Sequence, residues 1–546
     1  MKNHISNQWA ISLSLLLTIL FSSTCTGIKA QSIYGNFPVE ESFLSGSKPT
    51  FVDVPGNNPN VLFTTRGVQL TKNIQSQFGG IFINNRRLTS KNGVHIEFDY
   101  MMYGRGSSAG GDGLSVFLFD AKTKNPNIGA EGAGIGYAYN WATSSTSYRR
   151  LGLSGAYVGI ALDSYGNYKG LRYQGNPPSQ VQGIPFGISI DGKIEATENT
   201  RDNITIRGAA GKGFTANNGA KVFTIPDGYA GYPVLITQST NTNKGFVITE
   251  PGDLSGYNDS RYVAKASTKK KNNFAISGDT QFNSPMDRGY RRAIIELFPV
   301  PEGDPDGGFY ITVAIEHDTK RDTIIYDYHY KQSFQYQENA AIPYRYNEDI
   351  PISTPPIKTL DAQVPDSFKI GFAASTGREI NYHYIKNVKI SLPRAAEANL
   401  DSARIDMGGL AVINPLDNDI AYTGTISRNQ IGKKDYIDEK EFRFVDNSGT
   451  VYKLGSGQTQ IEVMTADGKW VYNYTTKAVT FRPKSGFFGA ATIRYNIRGS
   501  NTNEMPYADD AYRSLNRDII VYVNEGPAKP TSIVTNKMVT NRGSNK

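Results

Sequence analysis

The feature that most limits what this chain can fold into is a period-two alternation of apolar and polar residues, recurring along its length and punctuated by Gly, Asn and Pro. Val94, Ile96, Phe98 and Tyr100 alternate with His95, Glu97 and Asp99, and Ile311, Val313 and Ile315 are separated by Thr312 and Ala314. Side chains on a strand point to opposite faces in turn, so both runs predict strands with one buried face. Further strands are predicted at 114–119, 157–162, 203–207, 292–297, 367–373 and 384–392, each bounded by turn residues. No sustained helical periodicity competes. The 55 Gly, 33 Tyr and 26 Phe fit a turn-rich β-protein. Antiparallel sheets packed as a sandwich are the expected all-β architecture.

The N-terminal segment predicts export. Lys2 precedes an apolar run from Ala10 to Phe21, and small residues lead to Gly27-Ile28-Lys29-Ala30. That run is short for a membrane span and ends like a cleavage site, so residues 1–30 read as a signal peptide cleaved near Ala30, giving a secreted or cell-surface protein. Cys25, the one cysteine of the chain, would leave with it, and disulfides and thiolate metal sites with it. The rival reading makes Cys25 the lipidated first residue of a lipoprotein, in the poor context Ser22-Ser23-Thr24. No later run is long and apolar enough to cross a membrane. The formal charge of +8 is modest for 546 residues. The basic run Lys269-Lys270-Lys271 lies among Ser, Thr and Asn and reads as a solvated loop, so no nucleic-acid partner is expected.

A boundary is expected near 393–405, where the polar, Ala-rich stretch Pro393 to Asn399 follows the last strand of the first block. A smaller β-unit then occupies 400–525. Within it, Lys477 to Tyr495 reads as an alternating strand, a Pro/Gly turn and a second alternating strand, a hairpin-like unit. This unit resembles the immunoglobulin-like or cadherin-like repeats of bacterial surface adhesins, through the turn Pro483 to Gly489 and the stretch Asn414 to Asp419. A single copy is present. Residues 526–546 form a polar tail, expected to be flexible.

Three short motifs carry the chemistry: Gly110-Gly111-Asp112-Gly113, Asp163-Ser164-Tyr165-Gly166-Asn167, and Ile370 to Gly377. A neutral sugar offers hydroxyls and an apolar ring face, so its site needs a carboxylate acceptor, amide donors and an aromatic platform. Asp112 supplies the carboxylate. Asp163, the Tyr165 carbonyl and Asn167 form an alternating set of oxygens suited to calcium, a hard cation. The plainer alternatives are an Asp in a Gly-rich turn and an Asp/Asn pair ordering a turn without metal.

Taken in this order, and with Gly152 to Ile160 and Asp202 to Gly208, the motifs make residues 32–395 resemble the L-type (legume-like) lectins, in particular their bacterial secreted relatives. The resemblance weakens over about 210–285, which reads as an insertion. It implies a jelly-roll sandwich with the sugar site above bound Ca2+. It makes Asp112, after a cis Gly111–Asp112 peptide, the acceptor of two sugar hydroxyls. It makes Asn167 both a calcium ligand and a sugar donor, and sets the Tyr165 ring against the sugar. The loop from Gly132 and Ala133 to Tyr137 would bring an amide to the sugar. Arg378 and Glu379, in the last specificity loop, would add side-chain contacts and tilt preference toward polar or acidic glycans. The implied metal ligands are Asp163, Tyr165 and Asn167, with Asp202 a weak candidate for the fourth. Ala161 stands where a glutamate would hold a second, transition-metal ion, so calcium alone is expected.

The expected function is calcium-dependent binding of glycans or glycoconjugates without catalysis. Two alternatives stay open. A glycoside hydrolase on a jelly-roll sandwich would need two facing carboxylates about 5–9.5 Å apart, with Glu97, Asp99 and Glu296 as candidates. A structural surface protein with a degenerate lectin fold would need none of the site residues. His95, His317, His329 and His383 fall in no metal-binding helix motif, and no Gly-x-Ser-x-Gly elbow or phosphate loop appears. His383 is expected to pack or hydrogen-bond beneath the loop.

Overall fold

The computed structural model describes residues 37–105, 110–140, 149–168, 189–190, 193–194, 201–217, 222–241, 245–248, 262–264, 274–285, 287–337, 357–500, 507 and 509–526. The expected signal peptide, the Lys269-Lys270-Lys271 run and nearly all of the expected tail lie outside them. Among the described residues there are strands and short 3-10 turns but no α-helix.

Twelve strands define the first sandwich: β1 (Gly67–Thr71), β2 (Gln77–Thr89), β3 (Val94–Tyr103), β4 (Gly113–Asp120), β5 (Ala156–Asp163), β6 (Asn203–Arg207), β7 (Val234–Ser239), β8 (Arg291–Pro299), β9 (Phe309–His317), β10 (Lys320–Tyr330), β11 (Ser367–Thr376) and β12 (Tyr382–Ser391). A nine-stranded front sheet contains the run β7-β6-β5-β4-β11-β2, and an eight-stranded back sheet the run β10-β9-β8-β3-β12-β1. The chain passes from back to front between β3 and β4, and returns between β11 and β12. The stretch read as an insertion supplies β7 and two further strands of the front sheet, Gly245–Ile248 and Tyr262–Ala264.

Between the sheets lies an aromatic core. Phe98 of β3 meets Phe372 of β11 edge-on at 5.1 Å, and Phe309 of β9 meets Phe368 of β11 at 6.0 Å. The opposite face of the front sheet carries a second cluster, in which Phe117, Phe119 and Ala161 pack under Tyr137, Tyr139 and Tyr232. Gly159 is needed there, since a Cβ on it would lie 2.4 Å from the Tyr137 ring.

The smaller sandwich comprises β13 (Asp401–Asp406), β14 (Ala411–Ile413), β15 (Arg443–Val445), β16 (Val451–Lys453), β17 (Gln460–Met464), β18 (Gly468–Asn473), β19 (Ala478–Pro483), β20 (Gly489–Asn496) and β21 (Arg517–Asn524). Its sheets run β13-β21-β20-β15-β16 and β14-β19-β18-β17. Trp470, Phe481, Ile493, Tyr495 and Val521 fill the space between them. The expected hairpin over Lys477 to Tyr495 is not one. β19 and β20 lie in opposite sheets, and the turn after Pro483 arches over the core that Phe481 and Ile493 share.

One expectation for β3 is corrected. Its second face is buried as well, with Glu97 and Asp99 at 7% and 3% exposure. The smaller sandwich packs there and brings cations. Arg517 reaches Glu97 at 3.0 Å, and Arg428 pairs with Asp327 at 2.7 Å while lying 3.7 Å over the Tyr310 ring; in the other direction Lys389 of β12 donates to the Asn516 carbonyl at 2.8 Å. Arg394, in the connection between the sandwiches, holds Glu296 at 3.0 Å.

Candidate carbohydrate site at the sandwich rim

Four neighbouring front-sheet strands, β6-β5-β4-β11, run antiparallel, so the start of β4 lies beside the ends of β5 and β11. That pairing gathers the three motifs at one rim. Asp112, just before β4, donates its amide to the Ser375 carbonyl at 2.7 Å. Its own carbonyl accepts from the Tyr165 amide at 3.0 Å and the Ser164 hydroxyl at 3.0 Å. The Gly111–Asp112 peptide is cis. A Cβ on Gly111 would lie 3.0 Å from the Glu379 Cβ and 3.3 Å from the Tyr165 Cβ, so glycine lets both loops close against this turn.

Asp112 is 4% exposed, and its Oδ2 has no hydrogen-bond partner among the described residues. Burial pushes its carboxyl up to about 7, against a hydrogen bond from Ser375 and with the added repulsion of Asp163 and Glu379. Three carboxylates therefore crowd one edge of the site. Asp163 is fully buried, and its Oδ1 accepts the Gly166 amide at 2.7 Å, closing the turn that presents Tyr165 and Asn167. Both of those residues are half-exposed.

Gly132 is held close by a bond from its amide to the Ser375 hydroxyl at 2.7 Å, with buried Ala133 next to it. Arg378 is exposed and Glu379 half-exposed on the loop after β11. Asp202 lies at the same rim, where its amide bonds the Ser164 carbonyl, but its Oδ1 accepts the Ile276 amide at 3.1 Å. Its carboxylate is thus engaged with the 274–277 segment. Burial raises its affinity for a proton.

For a calcium ion, the turn from Asp163 to Asn167 offers a carboxylate, a carbonyl and a side-chain amide oxygen, all hard donors. Among the described residues no group of three His, Cys, Asp or Glu could hold a metal, so a calcium site here would use carbonyl and amide oxygens. Ala161 sits in the aromatic cluster under Tyr137.

Two contributors were not singled out from the sequence. Ser375 ties Asp112 to Gly132; the signal was its place in the Ile370 to Gly377 run, on the strand beside Asp112. Asn381, fully buried, has both amide atoms unpartnered among the described residues and lies against Gly110, where a Cβ would come 2.8 Å from its Nδ2. His383 shares the Thr71 hydroxyl at 2.7 Å, and burial drives its imidazole down to about 3, which keeps it neutral. Far from the rim, the hydrolase candidates are committed elsewhere: Glu97 to Arg517, Asp99 to Arg292 at 2.7 Å, and Glu296 to Arg394.

No family model and no curated protein matches the chain. Among solved structures it is similar to the exoplasmic/lumenal domain of VIP36 in its Ca2+/Man3GlcNAc-bound form, with 13% identity, 65% of this chain and 90% of that one covered, and a TM-score of 0.29. It is similar to lectin II from Ulex europaeus, with 11% identity, 65% and 98% covered, and a TM-score of 0.29. A lectin from Bauhinia forficata in complex with GalNAc is similar at 10% identity, with 65% and 97% covered and a TM-score of 0.27.

Proposed function

We propose that the chain is an exported, non-catalytic, calcium-dependent carbohydrate-binding protein whose site is the rim around Asp112. The observation that carries this reading is a buried carboxylate with an unpartnered oxygen, Asp112, set among three converging loops and next to two further acids. A sugar hydroxyl donates to such an oxygen, and hydrogen bonds to a charged group contribute about 1.5–3 kcal/mol each. Tyr165 offers the aromatic face, and Asn167, Arg378 and Glu379 offer polar contacts around it.

Asp163, the Tyr165 carbonyl and Asn167 would hold the calcium. Once bound, the ion supplies positive charge beside Asp112 and relieves the repulsion that favours its protonated form. Asp112 then acts as an ionised acceptor, while Ser375 fixes its side chain and the position of Gly132. The smaller sandwich, packed on the back sheet, braces the first. It serves adhesion by presenting the site from whatever surface holds the protein, and a shallow site of this kind gains useful strength from multivalency.

The test is a glycan array probed with the full chain, with calcium and with chelator. Binding that chelator removes supports the reading. Turnover of a glycan would instead favour a hydrolase, and no binding under either condition would leave the rim a structural turn.

A further inference from the structure

The turn from Asp163 to Asn167 is held from behind by a buried arginine. Arg207, the last residue of β6, is 1% exposed and directs its guanidinium at main-chain oxygens. Its Nε and Nη2 both donate to the Tyr168 carbonyl, at 3.0 and 2.7 Å, and its Nη1 donates to the Tyr232 carbonyl at 2.6 Å. The guanidinium carbon also lies 4.9 Å over the Tyr168 ring, which is itself fully buried. Tyr168 directly follows Asn167, the last oxygen donor of the turn.

The same strand holds the other end. In the register of β5 against β6, Asp163 stands opposite Asn203 and Gly159 opposite Arg207. β6 therefore fixes Asp163 through the sheet and Tyr168 through a side chain, and residues 163–167 are strung between two anchored ends. Within them the Tyr165 amide bonds the Asp112 carbonyl and the Gly166 amide bonds Asp163 Oδ1. Arg207 is braced in turn, because the Tyr232 hydroxyl bonds the Leu153 carbonyl at 2.9 Å and its ring meets Tyr137 edge-on at 5.6 Å. A planar guanidinium with two arms on one oxygen sets the direction of that oxygen, which a lysine ammonium does not. Ligands ordered in advance bind more tightly because less freedom is lost on binding.

Resting on the reading of this turn as a calcium site, we propose that Arg207 is its positioning residue. Through Tyr168 it holds Asn167 and the Tyr165 carbonyl in place before the ion arrives. As a cation it is not itself a ligand.

Calorimetric titration of calcium into the full chain tests this, at a temperature where each variant is folded. Arg207→Lys keeps the charge but gives up the fork, and should weaken calcium binding about 10- to 100-fold, the usual cost of losing a partner that orients metal ligands. Thr205→Val, on the same strand, breaks a buried hydroxyl contact with Thr237 at 2.7 Å and should bind calcium as the wild type does. Equal affinity in Arg207→Lys and the wild type, or an equal loss in Thr205→Val, would overturn the positioning role. Hydrogen exchange on the wild type in chelator needs no substitution: the Tyr165 and Gly166 amides should already be protected, and protection that appears only with calcium would overturn the role as well. Asp163→Ala separates the two claims. If it binds calcium as the wild type does, the ion lies elsewhere and the underlying reading falls; if it loses calcium while Arg207→Lys does not, only the role of Arg207 falls.

Discussion

Two groups of buried carboxylates in the first sandwich have opposite surroundings. On the outer face of the back sheet, Glu97, Asp99 and Glu296 meet Arg517, Arg292 and Arg394, with His95 between two of them. Burial disfavours charge on His95, yet its bonds to Glu296 and Glu97 hold it up to about 9; burial likewise disfavours charge on Glu97, yet Arg517, with His95 and Arg292, holds its carboxyl well below the usual carboxylate range. At the front rim, Asp112 has no such cation among the described residues, and its neighbours Asp163 and Glu379 are acids. The first group carries its compensating charge within the chain and belongs to the packing of the two sandwiches. The second has no such internal compensation among the described residues, and under the proposed function a bound cation and ligand supply it.

The largest expected effect is at the interface. Arg517→Ala removes the closest cation from buried Glu97, and breaking a buried pair in this way costs about 3–5 kcal/mol. Chemical denaturation of the full chain should report that loss, with sugar affinity of the folded fraction unchanged. At the rim the matching change has the opposite sign: Asp112→Asn removes a buried charge that has an unpartnered oxygen, so stability should hold or rise. A comparable loss in both variants would erase the distinction between the two groups.

Calcium sharpens the same contrast. A ligand that binds only the folded state stabilises it by about 2.7 kcal/mol at a hundredfold excess over its dissociation constant. Thermal melts should show a calcium-dependent rise that Asp163→Ala abolishes and Arg517→Ala retains. A rise that survives Asp163→Ala would move the ion away from this turn.

The last effect is read through pH and concerns the second sandwich. Asp401 and Asp419 share the Tyr495 hydroxyl at 2.9–3.0 Å, and burial pushes Asp401 up to about 7. The folded state therefore holds a proton that the unfolded chain releases above its ordinary carboxylate pKa. This contribution is complete below about pH 4 and is lost as pH rises to 7. Stability should fall by about 1.4 kcal/mol per pH unit within that window. Asp401→Asn should flatten this part of the profile relative to the wild type; identical profiles for the two proteins would exclude the pair as its source.

Much of the fold was legible because alternation is local. The strands predicted at 114–119, 157–162 and 203–207 match β4, β5 and β6 to within one residue. What alternation could not show is what covers a face. His95, Glu97 and Asp99 read as a solvated side, yet Arg517, some 420 residues after Glu97, covers that residue, and Arg292 and Asn387 cover Asp99. The apparent hairpin around Pro483 misled for a related reason, since a strand–turn–strand pattern is the same whether the turn joins neighbours or arches between sheets. At the rim, Asp112, Asp163 and Glu379 were each visible in short motifs. Ser375 lay within the third motif, but its role comes from pairing between β4 and β11, and that of Asn381 from packing under Gly110, neither of which leaves a local pattern.

The most direct test is titration of the best array glycan into the wild type and Asp112→Asn, both in calcium. Loss of one charged acceptor worth about 1.5–3 kcal/mol corresponds to a weakening of roughly 10- to 150-fold. Binding should therefore weaken by that factor or vanish, while the calcium-dependent rise in melting temperature stays the same in both proteins. Equal affinity in the two would contradict the assignment of this rim as the sugar site.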